Sequence, residues 1–80
     1  MAVLRLFAAA RVAAGTARDS LSGATVGDVL DAAVARYGPD FAEVLGTCAV
    51  WVNGVPAGRG AAVGADDEIG VLPPVSGGGS

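Results

Sequence analysis

Apolar and polar residues alternate from Ala2 to Ala8, with Leu4 and Leu6 on one side and Val3, Arg5 and Phe7 on the other. That is the period of a strand with one face in a core. Ala8 to Ala14 then becomes an Ala-rich run around Arg11, favourable for a short helical turn, and Gly15 supplies its stop. Thr16 to Leu21 reads as a second strand returning antiparallel to the first, and Ser22-Gly23 as a turn. The strongest local signal runs from Thr25 to Tyr37. Thr25 caps the first turn, and Asp28 lies where a carboxylate favours the positive helix end. Val26, Val29, Leu30, Ala33, Val34 and Tyr37 follow at helical spacing and form one apolar stripe.

Gly38-Pro39 ends this helix, and Phe41 to Leu45 reads as one further turn whose Phe41 and Leu45 close the bottom of the core. Thr47 to Val52 is rich in strand formers. Asn53-Gly54 follows it, the dipeptide that accepts the two positive φ angles of a type I′ hairpin turn, and Val55 to Ala57 is the short return strand. After a loop carrying Gly58, Gly60 and Gly64, Glu68 to Leu72 reads as the last strand, with Ile69 and Val71 pointing one way and Leu72 the other. Pro73-Pro74 ends sheet pairing by removing two amide donors. The order β, β, helix, β, β predicts an α+β fold in which one mixed sheet packs on one main helix, with the last strand beside the first. This is the β-grasp. Residues 1–72 form the expected domain, and 73–80 a flexible C-terminal tail that carries the Gly77-Gly78 motif.

With 80 residues, 52% of them hydrophobic, the chain has room for one small core and not a second. No apolar stretch approaches the roughly 20 residues of a membrane helix, and no basic region precedes an apolar one at the N-terminus, so a cytoplasmic protein without a membrane partner is expected. The formal net charge is −3, and the five basic residues are all arginines. Phosphate binding needs a concentrated positive patch, so nucleic acid is not an expected partner. Acidity suits docking on basic proteins and equally serves solubility.

Ordinary catalysis has little to work with. There is no histidine, and the single cysteine, Cys48, falls on the predicted strand with the parity of Val50 and Val52, where a small buried apolar residue competes with a reactive thiol. Asp66, Asp67 and Glu68 read as a solvated loop run, since a metal cage needs ligands converging from several directions. No cofactor or metal is called for. The tail differs from all of these: it leaves a strand, is stiffened by Pro73 and Pro74, and loses its side chains at Gly77 and Gly78. Extended from Pro73 to Gly78 it reaches on the order of 20 Å, enough to enter a partner's pocket while the globule stays outside. Glycines lack the Cβ that would block a narrow channel. A glycine carboxylate there is a handle that ATP can activate as an acyl-adenylate and that sulfide can convert to a thiocarboxylate. A Gly-rich end is also what plain disorder looks like.

Asp67-Glu68-Ile69 followed by Leu72-Pro73-Pro74-Val75-Ser76-Gly77-Gly78 resembles the C-terminal signature of the MoaD/ThiS ubiquitin-like sulfur carriers, above all the small subunit of molybdopterin synthase. Leu6-Phe7-Ala8 with Arg11 and Gly15 is similar to that subunit's opening, and Val52-Asn53-Gly54 to its internal hairpin. The resemblance spans the chain, and its ending is the specific part. It implies a non-catalytic carrier and two kinds of partner. An ubiquitin-activating-type adenylyltransferase activates Gly78, a larger acceptor such as the molybdopterin synthase large subunit takes the sulfur, and in that branch the product is the dithiolene of molybdenum cofactor. One departure matters, because the family's working form ends at the second glycine and here Gly79 and Ser80 follow. Either a tail-trimming protease removes them or they were added in expression.

Phe7, Trp51 and Leu72 share the parity opposite to Leu6, Val50 and Val71, so the sheet face away from the helix should present them together, rimmed by Arg5. With Pro73, Pro74 and Val75 they are the expected partner contact; the alternative has Trp51 covered by a loop. Rival functions are sulfur delivery to thiamine, cysteine or a specialised metabolite, an ubiquitin-like modifier joined to lysines, and a binding module with an inert tail.

Overall fold

A computed structural model describes residues 1–74. In chain order the elements are β1 (Ala2–Leu6), α1 (Ala8–Ala14), β2 (Arg18–Leu21), α2 (Val26–Tyr37), α3 (Pro39–Leu45), β3 (Ala49–Val52), β4 (Val55–Pro56) and β5 (Glu68–Leu72). The strands form one sheet in the order β2-β1-β5-β3-β4. Only the central β1–β5 pair is parallel; β2, β3 and β4 join antiparallel. With the helices on one face, this is the β-grasp.

Period-two alternation decides which side chains reach the core. Ala2, Leu4 and Leu6 of β1 and Ile69 and Val71 of β5 are buried, each larger one contributing roughly 1.5–3 kcal/mol relative to an exposed position. Val26, Val29, Leu30 and Ala33 of α2 meet them, while Val34 and Tyr37, at the end of the stripe, are half-buried. The expected cap forms: Thr25 Oγ1 accepts from the Asp28 amide at 3.2 Å, and Asp28 Oδ2 accepts from the Ala24 amide at 3.2 Å. Gly15 ends α1 at φ 78°, in the left-handed region that a side chain would disfavour.

Five boundaries differ from expectation. β2 begins at Arg18, two residues after Thr16. β1 stops at Leu6, because Phe7 is the N-cap of α1; its extended backbone (φ −124°, ψ 150°) nevertheless keeps it in step with the strand. The turn after Gly38 is a full helix from Pro39, since proline at the first position lacks only an amide that would be unpaired there anyway. Its Phe41 is completely buried, edge-on to Tyr37 at 5.1 Å between ring centroids, whereas Leu45 is half-buried. β4 ends at Pro56, one residue short of Ala57. β3 begins at Ala49, leaving Cys48 outside the strand, where its thiol donates to the Val44 carbonyl at 3.2 Å. Val50 and Val52 are half-buried, because β3 is flanked on its outer side by a strand of only two residues.

The Asn53-Gly54 turn has both φ values positive, 51° and 83°, as a type I′ hairpin requires. Asn53 also closes the far end of the sheet. Its Nδ2 donates to Asp67 Oδ1 and its Oδ1 accepts from the Glu68 amide, both at 2.9 Å. Asp67 Oδ2 accepts from the Gly64 amide at 2.7 Å. These bonds hold the Asp67 carboxyl below the usual range, the Asn53 contribution being the largest.

Candidate functional site

The sheet has an inner face under the helices and an outer face that no element among the described residues covers. Strand register assembles the outer face from residues far apart in sequence. Arg18 of β2 lies opposite Arg5 of β1, Arg5 beside Gly70 of β5, Gly70 opposite Trp51 of β3, and Trp51 opposite Pro56 of β4. One row nearer the C-terminal end of β5, Leu72 lies opposite Ala49, and the Phe7 amide extends the β1–β5 pairing by donating to the Val71 carbonyl at 3.3 Å.

Phe7, Trp51 and Leu72 remain 39%, 36% and 37% exposed, so all three reach the surface of this face and no loop among the described residues buries Trp51. Arg5 leans over the Phe7 ring at 5.6 Å from its centroid and lies 3.6 Å from Glu68. Gly70 sits at the middle of the patch. A methyl group there would stand 3.4 Å from Leu72 Cδ1 and 3.8 Å from Phe7 Cε2, so its bareness leaves a shallow floor between the apolar side chains. Sequence reading missed Gly70, Pro56 and Arg18. The available signal for the first was a glycine inside a strand pattern, which marks close approach of another chain or ligand.

Regular structure ends at Leu72; Pro73 is half-buried and Pro74 exposed. Val75, Gly77 and Gly78 lie outside the described residues.

Other reactive groups are tied down elsewhere. Burial raises the Cys48 thiol, disfavouring the thiolate. Tyr37, half-buried between α2 and β2, donates to Asp19 Oδ2 at 2.5 Å; burial first and this bond second push its phenol up to about 12. Asp19 is correspondingly lowered, chiefly by the Tyr37 hydroxyl, with Arg36 adding an ion pair at 3.2 Å. No group of three or more acidic, cysteine or histidine side chains suited to a metal occurs among the described residues. No helix among them is long and apolar enough to cross a membrane.

The profile of the ThiS family matches residues 4–78, and the chain belongs to that family of ubiquitin-like sulfur carriers and modifiers. Its structure is similar to the small archaeal modifier protein 1 of Methanosarcina acetivorans, with 34% identity over 95% of this chain and 94% of that one and a TM-score of 0.87. The Haloferax volcanii protein of the same name is 38% identical, covering 95% and 97% with a TM-score of 0.79. A provisional molybdopterin converting factor subunit 1 from Pyrococcus furiosus is 25% identical, covering 92% and 97%, at a TM-score of 0.81. No curated protein matches the chain in sequence.

Proposed function

We propose that this ThiS-family chain carries sulfur on the carboxyl of Gly78, for delivery to the molybdopterin synthase large subunit in molybdenum cofactor synthesis. The observation that carries this is the family match running through Gly78, on a tail that leaves the sheet beside an open apolar face. The adenylyltransferase docks on Phe7, Leu72 and Trp51, which sets the distance from the globule to ATP. Pro73 and Pro74 limit the paths the tail can take, and Gly77 lets it thread a narrow channel. The Gly78 carboxylate attacks the α-phosphate of ATP, pyrophosphate leaves, and a sulfide sulfur then displaces AMP to form the thiocarboxylate. The chain itself supplies position and the carboxylate, and its partners supply the chemistry.

Gly79 and Ser80 must first be removed. With them present Gly78 is an amide, and the terminal carboxylate lies up to about 7 Å too far along an extended chain. The chain ending at Gly78, incubated with adenylyltransferase, ATP and sulfide, should gain the mass of one oxygen replaced by sulfur, while the 80-residue form should not unless a protease is supplied. Equal activation of both forms would overturn the assignment of Gly78, and reaction of neither would overturn the carrier reading.

A second reading is favoured by the relatives named modifier proteins, at 34% and 38% identity. In it the adenylated Gly78 is taken by a lysine amine of another protein. The same incubation with cell extract separates the two, since an isopeptide adduct marks a modifier and a free thiocarboxylate a carrier.

A further inference from the structure

The outer face is charged in a way that its apolar patch does not explain. Arg5 and Arg18 are direct cross-strand partners on it, and like charges placed so are destabilising. The other arginines near carboxylates are anchored away from this face: Arg36 on Asp19 at 3.2 Å and Arg59 on Asp31 at 2.5 Å. Arg18 has no ion pair among the described residues, and Arg5 has only Glu68, at 3.6 Å with both side chains 45% exposed. Glu68 is the one acidic residue in this outer register. A chain of net charge −3 thus presents a face bearing two cations and one anion. Its other acids are spent on Asp19–Tyr37, Asp28–Ala24, Asp31–Arg59 and Asp67–Asn53 contacts, or lie on α3 and in the loop before β5.

We infer that the protein surface covering this face presents a carboxylate side chain to Arg18 and Arg5, beside an apolar groove that takes Phe7, Leu72 and Trp51. The guanidinium fork binds a carboxylate through two parallel hydrogen bonds, so the pair fixes direction as well as charge. Phe7, Leu72 and Trp51 alone would allow the docked globule to slide or rotate. A polar anchor at the β1–β2 side, across the sheet from Trp51, sets one orientation and thereby aims the tail. A phosphate-bearing polymer would meet the same two guanidiniums, but two cations on an acidic chain are too few to hold a polyanion. The inference rests on the carrier reading, in which this face docks on the adenylyltransferase.

ATP–pyrophosphate exchange with the adenylyltransferase of the same genome, using the chain ending at Gly78 at rising sodium chloride, tests it. Wild-type KM should rise with salt, and Arg18→Glu should raise KM by about tenfold or more at low salt with kcat unchanged and most of the salt dependence gone. Arg18→Lys, retaining charge without the fork, should fall between them. Arg18→Glu places a carboxylate opposite Arg5, so its melting temperature should hold or rise, which keeps misfolding out of the result. Trp51→Ala should raise KM and leave the salt slope as in wild type. If wild type exchanges and Arg18→Glu matches it in KM and slope, the inference fails and the carrier reading stands. If folded wild type gives no exchange, both fall. If sedimentation finds a dimer that Arg18→Glu dissolves, the face is covered by a second copy and the inference is overturned.

Discussion

The two faces of the sheet are built from alternate residues of the same strands, yet they obey different rules. On the inner face Leu4, Leu6, Ile69 and Val71 are sealed under α2 and α3, and a single inward polar group on the edge strand, Asp19, is satisfied by Tyr37 and Arg36. On the outer face three large apolar side chains stay more than a third exposed around a bare glycine, and two arginines face each other. The inner face is what folding requires. The outer face departs from it in ways that cost stability, and such departures concentrate where a surface is shaped for something other than folding.

Substitution of neighbours in β5 should break the comparison if it is wrong. Ile69→Ala removes a fully buried side chain and should cost about 2–5 kcal/mol in denaturant unfolding; a loss below about 1 kcal/mol would mean the inner face is not the core. Trp51→Ala should cost about 2 kcal/mol or more in adenylyltransferase binding measured by calorimetry, with far less change in melting. Collapse of the melt with unchanged affinity per folded molecule would move Trp51 to the core side of the ledger. Gly70→Ala adds a methyl at ordinary contact distance from Leu72 Cδ1, so stability should change by less than about 1 kcal/mol while affinity for the same partner drops a few-fold. Unchanged affinity would show that the shallow floor is not used.

The smallest effect lies at the inner rim and appears only at the extremes of pH. Tyr37, the only tyrosine, is raised to about 12, above its ordinary value of about 10, so the stability it lends is full below pH 10 and is lost as pH climbs through about 12. Asp19 is lowered, so its contribution is present above its ordinary value near about 4 and is lost as pH falls through the lower folded value. Tyr37→Phe should flatten the alkaline loss in pH-dependent melts, and phenolate absorbance in the wild type should appear only as pH nears 12. Ordinary titration near 10 would show that the Tyr37–Asp19 bond does not form in solution.

Most of the local structure was legible because it is encoded at short range. The stripe from Val26 to Tyr37, the Thr25 cap, the Gly15 stop and the Asn53-Gly54 turn each depend on residues within about four positions of one another, where backbone geometry acts directly. The same period of two separated Phe7, Trp51 and Leu72 from Leu6, Val50 and Val71 and so revealed the exposed patch. The tail pattern ending at Gly78 was likewise readable from sequence alone, and the family match extends through it.

Register across the sheet was not legible, because it is set when the core closes. The last strand was expected beside the first and the second antiparallel to it, but the residue-by-residue register that puts Gly70 between Arg5 and Trp51 and sets Arg18 against Arg5 was not. Likewise, Cys48 lay on the expected strand by parity, but the α3–β3 connection leaves it outside, with its thiol turned to the Val44 carbonyl. The Asp19–Tyr37 and Asn53–Asp67 pairs span 18 and 14 positions, and nothing local marks them as partners. Sequence therefore determined which residues face outward, through spacings the backbone imposes on near neighbours. Only the tertiary structure decided which outward residues stand together, because that follows from burying the inner face of every strand at once.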